Sequence, residues 1–191
     1  MNRTGFLLLL IFIVACKSPK KEADENNSEP FPVLSFLQSQ VRHIDTSLYS
    51  IVKIRKAGRT QDTTYIRRED FRNTAQDFLS LPDVASKKWK DAYTETRLYD
   101  EDLKKVVITY LPKPKTDISE ITRQDVIIEP GTNSADQVQT IYIETALNAG
   151  DSAVQKKLTW NVGKGFQEIK LVTKKDAPEA VETTDVTWSG G

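Results

Sequence analysis

The sequence predicts an α+β domain in which amino-terminal helices pack on a curved, mostly antiparallel meander sheet of about 7–9 strands. Three observations carry that expectation. Leu34, Leu37, Val41, Ile44 and Leu48 recur at steps of three and four, the spacing of one helix face. After Asp91 the chain becomes a series of short β-branched and aromatic segments divided by turn residues. The gaps between those segments are too short for the crossovers of about a dozen residues that parallel strands require.

The chain of 191 residues divides into a signal peptide, 1–15, a lipidated cysteine with its tether, 16–30, and a single domain, 31–191. Arg3 precedes an apolar run from Gly5 to Val14 that ends in Ala15 before Cys16, the layout of a secretory signal. The run is about half the roughly 20 residues a spanning helix needs, so it is expected to be removed. Ile13-Val14-Ala15-Cys16 resembles the bacterial lipobox. The resemblance implies cleavage before Cys16, fatty-acyl chains such as palmitate on its sulfur, and acylation of the new amino terminus. It also implies a partner, the lipid bilayer, and a place, the bacterial cell envelope. Asp in the position of Lys17 favours inner-membrane retention in Gram-negative lipoproteins, so Lys17 points to the outer membrane, with the domain in the periplasm or on the cell surface. A single acyl chain binds membranes marginally and two or three bind stably, at about 0.8 kcal/mol per buried CH₂. Lys17 to Pro30 contains no aromatic or β-branched residue, so it cannot offset its ordering entropy by burial and reads as a disordered tether.

Composition narrows the chemistry of the domain. Lys plus Arg equals Asp plus Glu at 27 each, which provides no basic footprint for nucleic acid. Cys16 is the only cysteine, so the domain has no disulfide, no thiol nucleophile and no Cys-ligated metal.

Along the domain, Pro32 suits the first turn of a helix running to about Asp45. Leu48 to Ile54 and Thr63 to Ile66 read as two strands around Ala57-Gly58. Glu69 and Asp70 open a second helix with Phe71, Ala75 and Phe78 on its buried face, and a third is expected from Ser80 to Trp89. Strands follow near 92–99, 104–112, 121–129, 137–146, 153–162, 166–174 and 181–188. In the fifth of these, Val154, Leu158, Trp160 and Val162 alternate with polar residues, so one face is buried and one wet; Lys156 interrupts the apolar side. Val106 to Leu111 is apolar on both faces and is expected at the centre of the sheet.

No catalytic signature is present. His43 is the only histidine and sits off the helix stripe, so triads based on serine or cysteine have no oriented base. There is no phosphate loop or dinucleotide fingerprint, and Gly163-Lys164-Gly165 reads as a hairpin turn. No cofactor or metal site is expected, and Asp100-Glu101-Asp102 reads as a hairpin tip lacking the alternating spacing of a calcium loop. The aromatic residues of the strands mark a candidate ligand groove, with Tyr142, Trp188 and Tyr110 foremost. The leading expectation is therefore a non-catalytic binding or scaffolding domain held at the membrane, with an envelope protein or an apolar ligand as partner. Two alternatives stand beside it. The element order resembles the half-open barrels of envelope lipoprotein-sorting proteins, which implies a carrier or chaperone with an apolar cavity on the helix side. A carboxylate-dependent hydrolase requires only two well-placed acids, which sequence spacing does not reveal.

Overall fold

The fold is described from a computed structural model covering residues 29–114, 120–131 and 135–189. The signal peptide, Cys16 and nearly all of the tether lie outside the described residues, as do parts of the expected turns after Pro112 and Pro130.

Helix α1 (Val33–Asp45) buries Val33, Leu37, Val41 and Ile44 as one stripe. Arg42 occupies its last turn, where positive charge suits the helix dipole. The hydroxyl of Thr46 donates to the carbonyls of Arg42 and His43 and that of Ser47 to Ile44, which closes the helix. The stripe therefore stops short of Leu48, which is 89% exposed. His43 is exposed, with its ring edge-on to Tyr49 at 6.0 Å.

Strands β1 (Ser50–Ala57) and β2 (Thr60–Ile66) form a hairpin whose turn places Gly58 at φ +57, a left-handed conformation that glycine adopts without steric cost. A 3-10 turn at Arg68–Asp70 leads into two one-turn helices, α2 (Phe71–Thr74) and α3 (Gln76–Leu79). Then come β3 (Tyr93–Asp100), β4 (Lys105–Pro112), β5 (Ile121–Glu129), β6 (Gln137–Ala149), β7 (Ser152–Asn161), β8 (Gly165–Lys174) and β9 (Ala180–Ser189). Among the described residues all nine strands pair antiparallel in one open sheet, in the order β2-β1-β9-β8-β7-β6-β5-β4-β3. The chain's first hairpin thus docks against its last strand, and β2 and β3 are the two edges.

This architecture corrects the α+β expectation. Strand accounts for 54% of the described residues and helix for 18%, so the fold is one broad antiparallel sheet with a small cap. The helix expected from Glu69 is interrupted at Ala75, although Phe71, Ala75 and Phe78 are all buried as their spacing requires. The helix expected from Ser80 to Trp89 does not form. Asp83 instead accepts a hydrogen bond from the Ala85 amide at 3.1 Å, a local turn that competes with helical bonding, and a 3-10 turn at Lys90–Ala92 leads into β3. The Val106 to Leu111 run is also displaced from its expected place: it lies in β4, next to the edge, and Leu111 is 47% exposed.

The core lies on one face of the sheet. Ile108, Val126, Ile141, Trp160, Phe166 and Val186 stand in register across six adjacent strands, all buried. The stripe of α1 together with Phe71, Ala75 and Phe78 completes the same cluster. Burying a large apolar side chain contributes about 1.5–3 kcal/mol, so this row and its cap dominate stability.

Candidate functional site

The three aromatic residues marked in the sequence do not converge. Tyr110 is 1% exposed on the inner face, where its hydroxyl oxygen accepts from the Phe31 amide at 2.8 Å. Burial raises its phenol above the ordinary range. Trp188 is also in the core, 5.4 Å from Phe71 and 5.3 Å from Trp160 between ring centroids. Tyr142 projects from the opposite face, because it alternates with buried Ile141 and Ile143 along β6.

On the inner face, Phe71, Phe78, Trp160, Phe166 and Trp188 fill the space between cap and sheet. Neighbouring ring centroids lie 5.1–6.4 Å apart, and Trp160 stacks on Phe166 at 17°. This is the position at which a carrier of apolar ligands requires a cavity. Side chains occupy it.

At the rim of the cap the apolar row of the inner face gives way to charge. Lys156, on the apolar side of β7, places its Nζ 2.6 Å from Asp77 of α3 and 3.6 Å from Glu168 of β8. Burial, followed by the adjoining Asp77 carboxyl, pushes Glu168 up to about 7. The hydrogen bond from Glu168, with Lys156 adding to it, holds Asp77 below the usual carboxylate range. Lys156 thus bridges the two acids and takes up the space between them, where a glycosidase must admit a sugar. The cluster acts as a clamp between α3 and the sheet. On β1 and β9, the charged pair Arg55 and Glu182 extends this polar end, and Glu182 and Lys170 line a concavity of about 670 Å³.

The outer face is wet, broad and regular. Tyr142 stands opposite Asp125 and Glu144 opposite Arg123 in the β5–β6 pairing. The Tyr142 hydroxyl donates to Glu144 at 2.5 Å, and Arg123 Nε donates to Asp125 at 2.9 and 3.1 Å. Burial, and then the Glu144 carboxylate, push the Tyr142 phenol up to about 12. The polar register continues through Thr140 with Asn161 at 3.1 Å and Gln167 with Asp185 at 2.7 Å. Between those pairs lies a notch of about 230 Å³ over Gly165. Toward the two edges the same face becomes apolar, with Leu98 66% and Leu111 47% exposed at one side and Tyr65 79% and Val181 48% at the other. Sequence reasoning marked Tyr142 but missed Arg123 and Asp125, whose alliance with it depends on the register.

The acidic tip at Asp100 is a turn: its Oδ1 accepts the amides of Asp102 at 3.0 Å and Leu103 at 2.9 Å. Among the described residues no group of three or more His, Cys, Asp or Glu is arranged to hold a metal ion, and no helix is long and apolar enough to cross a membrane. No protein family, curated protein or solved structure matches this chain.

Proposed function

We propose that this chain is a lipoprotein of the bacterial cell envelope, held by acylated Cys16 at the outer membrane, whose domain is a non-catalytic binding or scaffolding module. Its contact surface is the outer face of the sheet and its partner an envelope protein. One observation carries the choice of face and partner: large apolar side chains, Tyr65, Leu98, Leu111 and Val181, stand exposed on a face whose polar centre is already ordered by cross-strand pairs. Exposed apolar groups of this kind mark protein contacts, and paired polar groups lose little entropy on docking. The filled inner face speaks against a carrier, and the Lys156 ammonium set between Asp77 and Glu168 against a two-carboxylate hydrolase.

Two measurements test this reading separately. Intact-mass analysis of the mature protein is expected to find acyl chains on Cys16, and an unmodified Cys16 overturns the anchor. Affinity isolation from detergent-solubilised envelopes is expected to recover a protein with the wild-type chain and to lose it with Tyr142→Ala combined with Arg123→Glu. Recovery unchanged by those substitutions removes the outer face, and hydrolysis that vanishes in a single carboxylate variant removes the non-catalytic assignment.

A further inference from the structure

The edge strand β3 is complementary to itself. It runs eight residues, Tyr93–Asp100, without proline, lysine or a bulge, and the two charges on its inner face, Glu95 and Arg97, are of opposite sign and so repel an unlike strand but not an antiparallel copy. Its inner-face residues are Tyr93, Glu95, Arg97 and Tyr99, and its outer-face residues include Thr94, Thr96 and Leu98. A second copy laid antiparallel against it about a two-fold axis at Thr96 sets Thr96 opposite its own counterpart. Every other pair then follows from the alternation: Glu95 meets Arg97, Thr94 meets Leu98 and Tyr93 meets Tyr99, each of them twice.

Two of those pairs, Thr96 with its counterpart and Glu95 with Arg97, are of types that stabilise strands. Glu95 and Arg97 already form an ion pair along their own strand at 2.5 Å, so both carry the right charge on the right face to exchange partners across the axis. Tyr99, 51% exposed in the single chain, falls opposite Tyr93, whose ring stays in its own core, 4% exposed, with the hydroxyl donating to the Ile121 carbonyl at 3.0 Å, so this pair shields Tyr99 without a ring contact. Leu98, 66% exposed and paired with Val107 on its own side, gains Thr94 of the other copy and, beyond it, Leu111, which stands opposite Thr94 in β4. The other edge lacks this property: about Thr63 in β2, antiparallel self-pairing sets Asp62 against Thr64 and Gln61 against Tyr65.

We propose that a second copy of this chain pairs with the first through β3, joining two nine-stranded sheets into one continuous antiparallel sheet with the outer faces side by side. This does not depend on the anchor or on the partner proposed for the outer face.

The thiol-free domain permits a direct test. At the two-fold position the Cα atoms of Thr96 and its counterpart fall about 4.5–5.5 Å apart, within disulfide range, so Thr96→Cys in the full chain expressed in cells is expected to give a disulfide-linked homodimer on mild oxidation. Thr63→Cys at the β2 edge and the unsubstituted chain are expected to give none, and adding Cys16→Ser to every variant, which removes the chain's one other thiol, is expected to leave these outcomes unchanged. Adding Arg97→Glu turns both charge pairs into repulsions and is expected to lower the linked fraction roughly tenfold, while the further change Glu95→Arg restores it. Circular dichroism of each variant checks that the sheet has formed. The proposal is overturned by a folded Thr96→Cys chain that does not link, by equal linking at Thr63→Cys, by linking of Thr96→Cys to a protein of different mass, or by a charge swap that restores nothing.

Discussion

Gly165 opens β8, and its lack of a side chain is a packing requirement, not a turn requirement. A Cβ built there falls 2.3 Å from the Val186 carbonyl oxygen and 3.2 Å from the Thr187 Cα, both backbone atoms of β9. Ordinary contact begins near 3.4 Å, so Gly165→Ala forces β9 to move by about an ångström relative to β8. The side chain of Val186, 0% exposed, is carried by the displaced backbone and sits against Phe166 in the register. Overpacking of a tight site typically costs 1–3 kcal/mol, and backbone in place of a flexible side chain as the obstacle puts this case at the upper end, about 2–3 kcal/mol. With a urea slope near 2 kcal/mol/M, the denaturation midpoint is expected to fall by about 1–1.5 M. Gly163, two residues earlier, provides the contrast: its φ is +71 and open space surrounds its Cβ position. Gly163→Ala costs about 1–2 kcal/mol through backbone strain, and Gly163→Asn recovers part of it because asparagine visits left-handed conformations. Gly165→Asn recovers nothing, since the obstacle is steric. Urea titrations followed by tryptophan fluorescence measure all four variants. A Gly165→Ala midpoint within about 0.2 M of wild type, or rescue at that position by asparagine, refutes the reasoning.

Glu168 couples stability to pH. Its folded value, about 7, lies above its ordinary 4.5, so the folded chain retains a proton there that the unfolded chain releases; stability from this group is full below pH 4.5 and falls as pH rises toward 7. Asp77 shifts the other way, and its contribution is lost only as pH drops below about 4. Urea midpoints of the wild type are therefore expected to fall between pH 5 and 7, and Glu168→Gln to flatten that slope; an equal slope in both proteins contradicts the assignment. Trp160→Ala removes the ring at the centre of the aromatic cluster and is expected to cost about 3–5 kcal/mol by the same titration, whereas a loss below about 1 kcal/mol means the cap does not close on the sheet as described. Tyr142→Phe removes one hydrogen bond at a half-buried position and is expected to cost no more than about 1.5 kcal/mol, which makes it a variant for binding assays that leaves the fold in place.

The strands were legible in the sequence because each combines β-branched residues with strong turn chemistry, as at Gly163 and Asp100. The faces of Tyr142 and Trp188 were also implicit in strand parity: Tyr142 alternates with Ile141 and Ile143, and Trp188 shares its side with Val186. Tyr110 offered no such guide, since its strand is apolar on both sides. The cap misled for a different reason. Phe71, Ala75 and Phe78 satisfy helical spacing, yet successive single turns present the same three side chains inward. Long-range pairings left no local trace. Nothing near Lys156 announces Asp77, 79 residues away, and nothing near Arg123 announces Tyr142.

The sheet order also bears on how the chain is made. Strand β1 has two neighbours, β2 from the adjacent sequence and β9 from the far end of the domain, with Ile51 opposite Trp188. Until β9 arrives, the inner edges of the β1–β2 hairpin and of β8 both stand open, and Trp160 and Phe166 wait without Trp188. Contacts of such high sequence separation close slowly, and open strand edges in the interval invite aggregation. Strand β9 thus acts as a latch on the whole domain. A chain cut before Ala180 loses both ladders of β9 at once, and the first hairpin is left with no sheet to join.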